Sequence, residues 1–143
     1  MKTALALHDE IPRILETREL RSLRGKDFLE IEDVNAHQMY LIFHLAERFK
    51  EMHARKMTLP PLLHQKTIAL LFEKPSTRTR TSFDAGIHLL GGHAVFIDKQ
   101  STQMGRGEDW KDTAHTLTQY TDAIMARVYE HASLETMAKA SPH

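Results

Sequence analysis

Two arginines and three hydroxyl side chains lie within five consecutive residues, 76–80, of this 143-residue chain. The preceding apolar run, residues 67–72, is typical of a buried strand, and residues 82–90 have the pattern of an amphipathic helix. The first turn of a helix offers backbone N–H groups without intrahelical partners, and guanidinium groups add charge-assisted hydrogen bonds of roughly 1.5–3 kcal/mol each. The string therefore predicts a site for a phosphate-bearing ligand at the carboxyl end of a strand. A solvated basic helix start with ordinary caps is the alternative.

The sequence around this string alternates apolar strand patterns with helical ones. We expect strands at residues 67–72, 94–98 and 123–128, and helices at about 77–90, at about 109–121 and from a cap at Ser133 to about Lys139. Such alternation is typical of an α/β fold in which helices cover both faces of a parallel sheet. Arg127 would then lie at the carboxyl end of its strand, the edge of the sheet where ligands bind. Taken alone, it could equally be a surface arginine at a strand end.

The N-terminal part of the chain predicts a longer helix. It would begin at Asp33 or Val34, with Asp33 as its N-cap, and end near Met57. Its apolar residues are spaced by four, four and three, which places them in one stripe: Leu41, Leu45, Phe49 and Met52. Residues 1–21 form either a tail or a short helix.

Charge and composition exclude several classes of function. Nineteen basic and nineteen acidic side chains give a formal net charge of zero, which does not indicate a nucleic-acid or membrane surface. The chain has no cysteine, and its ten histidines lack the spacing of a metal site, so we expect no metal. The first residues do not resemble a signal peptide, and no apolar run is long enough to span a bilayer, so we expect a cytoplasmic protein.

Residues 76–79, Ser-Thr-Arg-Thr, resemble the signature of the transcarbamoylases, which transfer a carbamoyl group from carbamoyl phosphate to an amine. Other passages of the same family are matched in order along the chain: residues 24–29, residues 103–108 with 111–114, and residues 122–128. The resemblance covers roughly residues 22–143. It implies the α/β carbamoyl-phosphate-binding domain of this family, preceded by an extension at residues 1–21.

Three features favour the ornithine branch of the family, which forms L-citrulline and phosphate from L-ornithine. Phe-Glu-Lys-Pro at residues 72–75 resembles that branch, whereas the aspartate branch more often has Phe-x-Glu-Pro. Gln103 stands in a loop where the aspartate enzymes use serine and lysine. The residues that follow Arg127 depart from the Arg-His-Pro of the aspartate branch. Transfer to aspartate or putrescine remains an alternative.

The resemblance also implies the roles of individual residues. Carbamoyl phosphate would be bound by Ser76, Thr77, Arg78, Thr79, Gln103 and Arg127, with Arg78 and Arg127 as the catalytic residues. Arg78 would bind the phosphate, Thr79 would help to hold the carbamoyl oxygen, and Arg127 would contact both groups. No metal or organic cofactor is implied.

The resemblance further implies a homotrimer in which the loop with Gln103 reaches the active site of a neighbouring subunit. It also implies that the chain ends about half way along the family's usual length, without the second domain that binds the amino-acid acceptor. We therefore expect weak binding of carbamoyl phosphate and little or no turnover by this chain alone. A stand-alone anion-binding or oligomer-forming module, without a reaction of its own, is the alternative from a different class.

Overall fold

The computed structural model describes residues 4–98 and 109–141, in two compact units, Met1–Pro60 and Pro61–His143. The described part of the first unit contains three α-helices, α1 (Ala4–Leu15), α2 (Arg18–Arg21) and α3 (Ala36–Ala54), and a short 3-10 turn, Ile31–Asp33. The described part of the second unit alternates strands and helices: β1 (Thr67–Phe72), α4 (Thr77–Leu89), β2 (His93–Asp98), α5 (Trp110–Thr118), β3 (Ala123–Arg127) and α6 (His131–Ala140). In these described ranges, no helix has the length and apolar character needed to cross a bilayer.

Helix α3 carries the apolar stripe that the sequence predicts. Met52 is fully buried against Leu7 and Ile11 of α1, and Leu45 and Phe49 pack against the same cluster. The predicted extension, residues 1–21, thus supplies one helix, α1, to the core of the first unit. The boundary predicted after residue 21 stays a prediction.

The start of α3 differs from the predicted one. The N-cap is Asn35, whose side chain accepts a hydrogen bond from the backbone N–H of Gln38, while the Gln38 side chain bonds back to Asn35. Asp33 was wrongly predicted as the cap, because its carboxylate already accepts bonds from the N–H groups of Leu29 and Glu30. The helix also ends at Ala54, three residues before the expected Met57.

The second unit is built on a parallel three-stranded sheet in the order β2-β1-β3. On one face, Leu70 and Phe72 of β1 pack with Ile87 of α4. On the other face, Leu71 packs with Ala114 of α5 and Met137 of α6. The alternating side chains of one central strand thus fill two cores, which confirms the predicted parallel sheet with helices on both faces.

Helix α6 begins two residues before the predicted cap, Ser133. Glu130 occupies the N-cap position, and the N–H of Ser133 donates to the Glu130 carbonyl at 3.1 Å. Ser133 is buried in the first turn of the helix. The predicted cap was wrong because the chain enters the helix soon after β3, before Ser133 is reached.

Two consecutive glycines, Gly91 and Gly92, form the turn after α4. Gly91 has φ +81°, and its N–H donates to the His88 carbonyl at 2.9 Å. The N–H of Gly92 donates to the Ile87 carbonyl at 2.9 Å. These bonds satisfy the last carbonyl groups of the helix, and the positive φ angle favours glycine at position 91.

At the amino edge of the sheet, the side chain of Asp122 links the start of β3 to the start of β1. Its carboxylate accepts a bond from Lys66 Nζ at 2.7 Å and another from the N–H of Thr67 at 2.9 Å. The bond from Lys66, and then the bond from Thr67, hold the pKa of Asp122 below its ordinary value. Asp122 therefore connects the start of β3 to the start of β1 most strongly when it is ionised.

Candidate anion-binding site

The N-terminus of α4 lies at the carboxyl end of β1, as the sequence predicts. Ser76 is the N-cap, and its Oγ accepts a hydrogen bond from the N–H of Thr79 at 3.3 Å. The Ser76 carbonyl accepts the bond from the N–H of Arg80 at 3.2 Å, which starts the helical pattern. The N–H groups of Thr77 and Arg78 precede this first bond, so the helix itself offers them no acceptor. They are the natural donors for an anion at this position.

A cavity of about 420 Å³ opens beside this helix start. Its walls come from the end of β1 and its loop, from one face of α4, and from the end of β2. The lining residues are Phe72, Pro75, Ser76, Thr77, Arg80, Thr81, Phe96 and Asp98. Because an α-helix turns by about 100° per residue, residues 76, 77, 80 and 81 share one face. The cavity therefore combines hydroxyl groups, a guanidinium and an aromatic wall at the ligand-binding edge of the sheet.

Arg80 and Phe96 form a stacked pair in the wall of this cavity. The guanidinium carbon of Arg80 lies 3.5 Å from the centroid of the Phe96 ring. Phe96 in turn packs against Phe72, with the ring centroids 5.6 Å apart. Phe72 is almost completely buried, whereas Phe96 on strand β2 is 38% exposed. The buried ring of Phe72 thus supports the partly exposed ring of Phe96, on which the guanidinium of Arg80 stacks.

Arg127 lies at the end of β3, next to the loop that connects β1 to α4. Its Nη1 donates to the Pro75 carbonyl at 3.4 Å, and its own carbonyl accepts a bond from the N–H of Glu73 at 2.9 Å. The sheet order explains this position, since β1 is the central strand and Phe72 is in register with Arg127. The guanidinium of Arg127 is therefore anchored one residue before the cap of α4.

Two further side chains join the same loop to the segment after β3. The Glu73 carboxylate accepts a hydrogen bond from the N–H of Tyr129 at 2.7 Å. The ammonium group of Lys74 lies over the Tyr129 ring, 4.2 Å from its centroid. Neither contact is predicted by the sequence, because the pairing of β1 with β3 cannot be read from local patterns.

The structure distributes the predicted site residues unevenly. Ser76 and Thr77 line the cavity, and Thr79 is held to Ser76 through its backbone N–H. Arg78 is exposed and is not one of the lining residues. Arg127 contacts Pro75, and Gln103 lies outside the described residues.

Two cavity residues on β2, Phe96 and Asp98, were not predicted as site residues. Asp98 is in register with Phe72, so the ends of β1 and β2 lie side by side. A polar residue at the carboxyl end of an apolar strand was the available signal for Asp98.

Within residues 4–98 and 109–141, no three acidic or histidine side chains are grouped so that they could hold a metal ion.

Comparisons with known proteins place the chain in a family. Residues 26–143 match the family described as aspartate/ornithine carbamoyltransferase, carbamoyl-P binding domain. Ornithine carbamoyltransferase of Anoxybacillus flavithermus is 46% identical over 116 residues, which cover 81% of this chain and 37% of that protein. The anabolic ornithine carbamoyltransferase of Pyrococcus furiosus is 46% identical over 119 residues, covering 82% of this chain and 37% of the relative.

Solved structures agree with this assignment. Ornithine carbamoyltransferase from Pyrococcus furiosus superposes with a TM-score of 0.77 at 44% identity, over 83% of this chain and 38% of that one. Aspartate transcarbamoylase from Trypanosoma cruzi, in complex with carbamoyl phosphate, gives a TM-score of 0.80 at 27% identity, over 92% and 42%. The chain belongs to the aspartate/ornithine carbamoyltransferase family and carries its carbamoyl-phosphate-binding domain. It spans 37% of the length of the two curated relatives named above.

Proposed function

We propose that the start of α4 and its cavity bind carbamoyl phosphate, and that this chain is the carbamoyl-phosphate-binding part of an ornithine carbamoyltransferase. The observation that carries the proposal is the helix N-terminus capped by Ser76, which opens on a cavity at the carboxyl end of the central strand. N–H groups without an acceptor inside the helix, together with the helix dipole, favour a phosphate there. The family match, whose description names carbamoyl phosphate, supports this ligand over other anions.

The proposed roles follow from the position of each group. The backbone N–H groups of Thr77 and Arg78 and the Arg78 guanidinium would bind the phosphate. Thr79 would help to hold the carbamoyl oxygen, and Arg127 would reach both groups from the end of β3. Gln103 would complete the site from the loop of a neighbouring subunit. Arg78 must turn its exposed side chain toward the helix start, which a long, flexible side chain at a surface position is free to do.

The proposed reaction is a carbamoyl transfer without a metal or organic cofactor. A neutral amine attacks the carbamoyl carbon, and the oxygen gains negative charge in the tetrahedral intermediate. The bond to phosphate then breaks, and the departing phosphate accepts a proton from the former amine. The arginines and backbone donors contribute by holding the donor in place and by stabilising the charge on the oxygen and the phosphate.

Ornithine is the acceptor we propose for the whole protein, with L-citrulline as the product. The two curated relatives at 46% identity are ornithine carbamoyltransferases, whereas the Trypanosoma cruzi aspartate transcarbamoylase is 27% identical. The acceptor would be bound by a second domain, in the part of the relatives that this chain does not span. We also propose a homotrimer that works in the cytoplasm, with the loop of Gln103 shared between subunits.

Calorimetric titration of this chain with carbamoyl phosphate, with inorganic phosphate in parallel, tests the proposal. We expect saturable binding that prefers carbamoyl phosphate. Arg78→Ala should weaken it by at least about tenfold, which corresponds to one charge-assisted contact. Lys139→Ala removes one positive charge from an exposed position near the end of α6 and should leave the affinity unchanged. Equal affinities for the wild type and Arg78→Ala would contradict the assignment of Arg78.

A further inference from the structure

We infer that Arg80 is a second arginine that contacts the bound phosphate, and that Phe96 is the residue that positions it. This inference rests on the proposed function and adds a residue pair to the same site. No role in binding is assigned to either residue by the family signature in residues 76–79.

The helix period places Arg80 on the cavity side of α4. Arg80 follows Ser76 by four residues and Thr77 by three, the spacings that bring side chains onto one helix face. All three line the cavity. Arg78 does not line it. Of the two arginines in the string, Arg80 is therefore the one already positioned at the cavity.

Stacking on Phe96 fixes the guanidinium without using its hydrogen-bond donors. The interaction with the ring involves the flat face of the guanidinium, whose N–H donors all point outward in its plane. At 3.5 Å from the ring centroid, the guanidinium is in close contact with the Phe96 face. Its N–H fork stays available for the oxygens of a phosphate. The aromatic ring thus reduces the conformational freedom that Arg80 would lose on binding.

Phe96 is held in place by its own neighbours. It is in register with Leu70 of the central strand, and its ring packs against the buried ring of Phe72. A large aromatic side chain that remains 38% exposed on an outer strand provides a platform for a cation. The position of Arg80 is therefore determined by the sheet as well as by the helix.

Arg80 also brings a positive charge to the cavity wall. Among the described lining residues, Arg80 and Asp98 are the charged ones. The guanidinium of Arg80 offsets the carboxylate of Asp98 and adds to the attraction that the dipole of α4 exerts on a phosphate.

A double-mutant cycle in the full chain tests the inference by calorimetry with carbamoyl phosphate and with inorganic phosphate. We expect Arg80→Ala to weaken binding of both by about tenfold or more. Phe96→Leu, which keeps an apolar side chain on β2, should weaken binding about two- to fivefold. In the Arg80→Ala background, Phe96→Leu should have no further effect, because its contribution acts through Arg80. Lys139→Ala is the control for loss of one positive charge.

The outcomes separate this inference from the proposed function. Wild-type binding that survives Arg80→Ala unchanged would overturn the role of Arg80 and leave the proposed function intact. Equal effects of Phe96→Leu with and without Arg80 would overturn the positioning role, since a purely structural contribution is independent of Arg80. Failure of the wild type to bind either ligand would overturn the proposed function and this inference with it. Unfolding midpoints of all variants, measured in parallel, identify any variant that fails to fold, and Arg80→Lys then replaces Arg80→Ala.

Discussion

The carboxylate of Glu73 accepts a hydrogen bond from the backbone N–H of Tyr129 at 2.7 Å, and so ties the loop after β1 to the segment after β3. The N–H of Glu73 donates to the carbonyl of Arg127 at 2.9 Å, two residues before Tyr129. One residue thus bonds to the other loop through both its main chain and its side chain. Since the first loop leads to the cap of α4 and the second segment follows Arg127 directly, the contact sets how these parts of the site lie relative to each other.

Glu73→Ala should lower the free energy of unfolding by about 1 kcal/mol, because the N–H of Tyr129 loses its acceptor. Glu73→Gln keeps an acceptor oxygen at this position and should lose clearly less. Urea denaturation of both variants measures the difference. If the glutamine variant were as destabilised as the alanine variant, the negative charge of Glu73, and not its hydrogen bond, would be the stabilising feature.

Acid should weaken the junction at the amino edge of the sheet. The pKa of Asp122 is lowered in the folded state by Lys66 and Thr67. Its ionised form therefore contributes stability above the unfolded-state pKa of about 3.9, and this contribution is lost as the pH falls toward the lower, folded-state pKa. Urea midpoints between about pH 6 and pH 2 should fall more steeply for the wild type than for Asp122→Asn.

Asp84→Asn is the matched control for this pH dependence, because Asp84 is an exposed aspartate on α4. The urea midpoints of Asp84→Asn should change with pH in the same way as those of the wild type. Identical pH profiles for the wild type and Asp122→Asn would show that the bonds to Lys66 and Thr67 do not depend on ionisation of Asp122.

Substitution by alanine should change the stability of the protein in opposite directions at two glycines, one inside α4 and one after it. At Gly86, inside the helix, an added Cβ meets nothing within 4 Å. Gly86→Ala should stabilise the protein by about 0.5–1 kcal/mol, since alanine favours the helix. At Gly92, an added Cβ would lie 2.9 Å from Leu63 Cβ and 3.0 Å from Ile87 Cγ2. Gly92→Ala should destabilise by about 1–3 kcal/mol through overpacking.

Thermal unfolding of the two glycine variants provides the comparison. The midpoint should rise for Gly86→Ala and fall for Gly92→Ala. If Gly92→Ala left the unfolding midpoint unchanged, Leu63 would have moved away at little cost. The close approach between the turn and residue 63 would then not be a constraint on the fold.

The sequence predicted the strands well because each is a short apolar run bounded by polar or turn residues. For β1, the predicted range and the observed range are the same, Thr67–Phe72. Helix starts were less predictable, because several nearby side chains compete to cap a helix. Asp33 and Asn35 are both good caps, and only the fold shows that Asp33 is engaged with Leu29 and Glu30.

The run of consecutive site residues was predictable, and so was the position of Arg127 at the end of its strand. The string that begins at Ser76 is a local pattern, and its position at the start of α4 follows from the adjacent strand. The contacts of Arg80 with Phe96 and of Glu73 with Tyr129 depend on which strands pair and in what register. Pairing between distant parts of a chain leaves no local signal, so sequence patterns could not identify these partners.

Amide NMR of the full chain, titrated with carbamoyl phosphate, tests the central claim most directly because it locates the ligand. The proposed site predicts saturable shifts of the Thr77, Arg78 and Thr79 amide signals at the start of α4. The signal of Lys139 near the end of α6 should stay unchanged. Shifts confined to other parts of the chain, or no saturable shift at millimolar ligand, would contradict carbamoyl phosphate binding at this helix.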